Sequence, residues 1–108
     1  MVIFQFFHIA CLADSRDEAQ VEELLARAQS FMGSVPDTAY IWASDALLIA
    51  ESSGYTLGAA QAKELIGEVF YHQGAFLQAL NYHLQASDLY ERDQRLAVTS
   101  QMPQPNWA

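Results

Sequence analysis

Displacing the chain forty residues along itself sets Ala39 over Ala79, Tyr40 over Leu80, Trp42 over Tyr82, Ala46 over Ala86 and Ile49 over Leu89. The residues before these follow in part, with Leu25 over Leu65, Ala26 over Ile66 and Phe31 over Tyr71, while Arg27 over Gly67 does not match. A period of this length with two helices per unit is the mark of a helical solenoid, in which each unit buries its apolar face against the next. The local pattern agrees, because no stretch alternates polar and apolar residues for long enough to make a strand. The expected fold is all-α: antiparallel helical hairpins stacked into a short α-solenoid.

The breaks between helices are written in glycine, proline and serine. Ser15-Arg16-Asp17-Glu18 has the spacing of a capping box, which predicts a helix start there with acids in its first turns. Val21, Leu24, Leu25 and Ala28 then recur at helical spacing up to Gly33-Ser34-Val35-Pro36. Pro36-Asp37 opens a second helix on Ala39, Ala43, Ala46, Leu47 and Ala50, which stops at Ser52-Ser53-Gly54. A third runs from about Leu57 to Gln73 on Ala62, Leu65, Ile66, Val69 and Phe70. The fourth follows Gly74 on Phe76, Ala79, Leu80, His83, Ala86 and Tyr90, ending near Arg92-Asp93. These elements group into hairpins over residues 15–53 and 56–93, preceded by an apolar segment at 1–13 and followed by the start of a further helix and a proline-containing tail at 94–108.

Ala79 and Ala86, seven residues apart, share one side of the fourth helix. Small side chains there let two helix backbones come close. The second unit, residues 60–93, resembles a tetratricopeptide repeat. The resemblance is carried by Leu65-Ile66-Gly67, Phe70-Tyr71, Gln73-Gly74, Phe76, Ala79-Leu80, Tyr82 and Ala86 at the family's spacing, with departures at Lys63, His83 and Glu91. Residues 22–51 make a weaker repeat, carried by Ala39, Ala43 and Ala46, in which Arg27 stands where the family has a small residue. The extra residues in 51–58 give a longer period, similar to repeats found in bacterial signalling proteins. The resemblance implies a non-catalytic scaffold for protein–protein interaction. It implies a close crossing within the second hairpin at Gly67 and Ala79, packing onto the next unit at Ala86, and a partner groove lined by Gln61, Glu64, Glu68, Tyr71 and His72. Two carboxylates in such a groove favour a protein or peptide partner bearing Lys or Arg.

Charge narrows the partners further. With 13 acidic residues against 5 basic ones, and a net charge of −8, a nucleic-acid backbone is repelled over most of the surface. A single cysteine, Cys11, offers neither an intrachain disulfide nor the paired thiolates of a structural zinc site. Glu68 and His72 lie one helical turn apart, with His83 on the next helix, so the alternative to an interaction module is a small metal-dependent enzyme using those three residues. No glycine-rich phosphate loop or nucleophile elbow appears, and no cofactor is expected.

Residues 1–13 hold no charge and are too short to span a bilayer as a helix. They read either as the remnant of an export signal, placing the protein outside the cytoplasm or in a periplasm, or as an apolar element covering the first repeat of a cytoplasmic protein. A membrane is engaged only in the first case. About three repeats are generally needed for a stable array and about two are present. An apolar end at Phe76, Leu80 and Leu84 is therefore expected to be left open for self-association.

Overall fold

The computed structural model describes the backbone of residues 2–101 and the side chains of residues 15–98. Four helices follow one another: α1 (Val2–Phe31), α2 (Pro36–Ser53), α3 (Thr56–His72) and α4 (Phe76–Gln101). Each packs against its successor, and α1 also touches α3. α1 and α3 are thus neighbours across the two hairpins while α2 and α4 are not, so the stack closes up on the α1/α3 side. The described helices leave no strand between them.

The three turns fall where glycine and proline put them. Val35 precedes Pro36, which opens α2 at a position where its missing N–H costs nothing, and Asp37 sits in the first turn. Gly54 ends α2 at φ 77°, with its N–H and that of Tyr55 both returning to the Ala50 carbonyl. Gly74 ends α3 at φ 81°, and there the Ala75 N–H reaches the Phe70 carbonyl at 2.9 Å while the Gly74 N–H reaches that of Tyr71 at 3.0 Å. Both glycines occupy the left-handed conformation that closes a helix with satisfied carbonyls.

Two boundaries depart from the sequence reading. α1 does not start at Ser15: it is helical from Val2, and Ser15 lies in its interior. A capping box acts only where the chain turns into a helix, and no glycine or proline interrupts residues 2–32. Likewise α4 does not end near Arg92-Asp93 but continues to Gln101, taking in Arg95–Val98, which had read as the opening of another unit. The next breaker in the chain is Pro103. The tail from Met102 onward and the side chains of the first segment, Cys11 among them, lie outside the described residues.

The core runs through the stack as a seam of small and branched side chains. Val21, Leu25 and Ala28 of α1 and Met32 just after it meet Ala39, Ala43, Ala46 and Ala50 of α2, and Ala59, Ala62, Leu65, Ile66 and Val69 of α3 complete it. Trp42, Phe70, Tyr82 and Leu89 pack around its edge. The forty-residue register holds in burial as well as in sequence: Leu25 and Leu65, Ala39 and Ala79, and Ala46 and Ala86 are buried pairs, whereas Phe31 and Tyr71 are both exposed. Ala26 and Ile66 differ, exposed against buried, because α3 is flanked by three helices.

The face of α4 is rotated from the expected one. Ala79 and Ala86 are buried at 2% exposure each, but Phe76, Leu80 and His83 are exposed. The inner stripe is Ala79, Tyr82, Ala86 and Leu89, with Tyr82 stacked on Phe70 at 5.5 Å. Of the other helices only α3 packs along α4, so a narrow seam suffices.

Candidate functional site

The stripe Gln61, Glu64, Glu68, Tyr71 and His72 runs along α3 from Gln61 to its C-terminal end, and the fold divides it in two. Gln61 and Glu64 face α1 across a cleft whose cavity of about 290 Å³ is also lined by Glu22, Gln29 and Tyr90. Glu68 and His72 pair with each other one turn further on, Nε2 to Oε1 at 4.0 Å, both half-exposed. Tyr71 turns toward the α3–α4 corner, its ring edge-on to Phe76 at 5.4 Å. The five residues therefore form a continuous stripe but not one pocket.

One phenol, Tyr90, lines the cleft, and a second, Tyr55, reaches its Glu22 from outside the lining. The Tyr55 hydroxyl, from the start of α3, donates to Glu22 Oε1 on α1 at 2.7 Å. Burial, then that hydrogen bond and the nearby charges of Glu22, Glu18 and Asp93, push its ionisation well above the usual tyrosine range. Tyr90 of α4 is raised too, by burial first and then by the charge of Glu64 and the hydrogen bond to it. Each phenol thus stays a neutral donor at ordinary pH and holds a carboxylate in place. Glu22, Glu64 and two glutamines line the cavity, and no lysine or arginine does. Sequence reasoning missed Glu22, Gln29, Tyr55 and Tyr90. Only the acidity of α1 and the tyrosines themselves were visible, since the Tyr55–Glu22 pair joins residues 33 apart.

Close approach of the backbones is also distributed differently from the sequence reading. A side chain at Gly58 would meet Tyr55 Cδ2 at 2.6 Å and Val21 Cγ1 at 2.8 Å, so Gly58 is packed tightly between the Tyr55 ring and the Val21 side chain of α1. At Gly67 the neighbour is the His83 ring, at 3.0 to 3.1 Å. Gly67 is therefore covered by a movable imidazole. In the first hairpin Arg27 stays at the surface, paired with Glu23 at 3.2 Å and set 5.3 Å from the centre of the Trp42 ring, while the alanines of α2 supply the small side chains.

Among the described residues no three of His, Cys, Asp and Glu gather in a way that could hold a metal ion, so Glu68, His72 and His83 do not assemble into a centre. No described helix is long and apolar enough to cross a membrane. A second cavity, of about 440 Å³, lies between α2, α3 and α4. Its two cations are already engaged, Lys63 with the Gln85 side-chain oxygen and Arg92 with Asp88 at 3.5 Å. No protein-family model matches the chain, and no curated protein or solved structure shows significant similarity to it.

Proposed function

We propose that the protein is a non-catalytic interaction module, a short TPR-like solenoid whose α1/α3 cleft receives a basic segment of a protein partner. The observation that carries this reading is the cleft itself, in which Glu22 accepts a hydrogen bond from Tyr55, Glu64 stands beside Tyr90 and no cation shares the lining. A carboxylate held in place by a hydrogen bond is pre-organised for a guanidinium or ammonium group, so less ordering is left to be done on binding. Glu68 and His72 extend the same stripe toward Tyr71. The repeat register and its longer period fit a sensory or scaffolding segment of a bacterial signalling protein.

The test compares charge at the cleft with the same charge elsewhere. A Glu22→Gln, Glu64→Gln double variant should bind Lys- and Arg-rich peptides several-fold more weakly than wild type, with a smaller dependence on salt between about 0.05 and 0.2 M. An Asp45→Asn, Glu91→Gln control, which changes net charge equally at exposed sites outside the cleft, should bind as wild type. Equal loss in both variants would reduce the effect to net charge and remove the cleft from the reading.

A further inference from the structure

Val69–Ser87 is the longest stretch of the chain without Asp, Glu, Lys or Arg. It forms one corner of the molecule, where Tyr71, Phe76, Leu77, Leu80 and Leu84 stand at the surface, Leu77 at 84% and the others at between 54% and 61% exposure. The repeat register identifies what this surface corresponds to. Tyr40, the counterpart of Leu80, meets the next hairpin, edge-on to Phe70 at 6.0 Å. Ala43, the counterpart of His83, is fully buried between hairpins, while His83 is exposed. The outer face of α4 thus corresponds to the hairpin-stacking face, and among the described residues no helix covers it.

The geometry points to a second copy of this chain as the occupant, α4 against α4 about a twofold axis beside Leu80 and Leu84. Charge favours it: two chains that each carry −8 repel over most of their surfaces, and this neutral corner is where they meet at least cost, while it offers a charged partner nothing to pair with. Area favours it as well. Taking about 200 Å² for each large side chain, the exposed parts of these five supply about 600 Å² per copy. That approaches the roughly 800 Å² per partner of a standard interface and befits a dimer that dissociates on dilution. A patch that pairs with itself closes at two copies, whereas head-to-tail stacking would grow without limit. Apart from Tyr71, at the far end of the stripe that leads from it, the face is separate from the α1/α3 cleft, and the variants at Leu80 and Leu84 touch none of the cleft lining, so this inference is tested independently of the proposed function.

Sedimentation equilibrium of the full chain should show a mass that passes from one to two chains as concentration rises from about 1 to 200 μM, with tighter pairing at higher salt as repulsion is screened. Leu80→Glu, Leu84→Glu should remain monomeric with unchanged helical circular dichroism. Leu80→Ala, Leu84→Ala, which keeps helix propensity, should weaken pairing at least tenfold. Leu48→Glu, at an equally exposed leucine of α2, and Glu22→Gln, Glu64→Gln should pair as wild type. A wild type that stays monomeric, growth beyond two copies, or pairing that survives both leucine variants would overturn the inference. So would a monomer that binds neutral phosphatidylcholine vesicles through Leu80 and Leu84, which would make the corner a membrane contact.

Discussion

Single residues set the turns and hold the cleft, and their effects separate cleanly. Gly54 and Gly74 both have φ near 80°, where an L side chain costs about 1 to 2 kcal/mol, and neither has a neighbour that a methyl group would strike. Gly54→Ala and Gly74→Ala should therefore each lower stability by about that amount in urea unfolding, with Asn at the same sites recovering part of it. The two phenols predict a pH response. Their folded ionisation lies above the unfolded value, so the stability they contribute is complete below about pH 10 and is lost as pH rises beyond it. Melting temperature should hold level from neutral pH to about 9 and fall above 10, and Tyr55→Phe should flatten that fall. The glycines were legible in the sequence because a left-handed turn residue is a local requirement. The phenol–carboxylate pairs were not, because the partners come together only when α1 and α3 dock.

Between elements, the spacing of helices is set by which small residues lie where. Ala79 and Ala86 sit in the α3–α4 seam, and leucine at either site should cost about 1 to 3 kcal/mol, against little change for Gln78→Leu on the exposed side. Gly58→Ala forces apart α1 and α3 at Val21 and should cost a similar amount. Gly67→Ala has only the exposed His83 ring to displace and gains about 0.8 to 1 kcal/mol in helix propensity, so it should be near neutral. Equal losses at the two glycines would show that the crossings are misplaced. Helical period revealed the elements, their turns and the alanine faces, since these follow from spacing along a single chain. Which side of α4 turns inward did not follow, because Phe76, Leu80 and Ala79 satisfy the same period and only the number of flanking helices decides among them. The far ends of α1 and α4 escaped for a related reason: charged and polar residues such as Ser15 and Asp93 permit a helix to stop without making it do so.

At the scale of the whole molecule, the order of helices along the chain is also their order in space. Every packed pair is either consecutive or, for α1 and α3, one helix apart, and α3 is the element that touches all the others. Contacts of this kind close short loops, so little chain entropy is lost before packing begins. Refolding from denaturant should accordingly be a single fast phase in the microsecond to millisecond range. Substitutions that weaken α3, such as Ile66→Val, should slow refolding in stopped-flow or temperature-jump traces, while Leu89→Ala in α4 should mainly speed unfolding. An equal slowing by both would place the nucleus across the molecule instead of on α3.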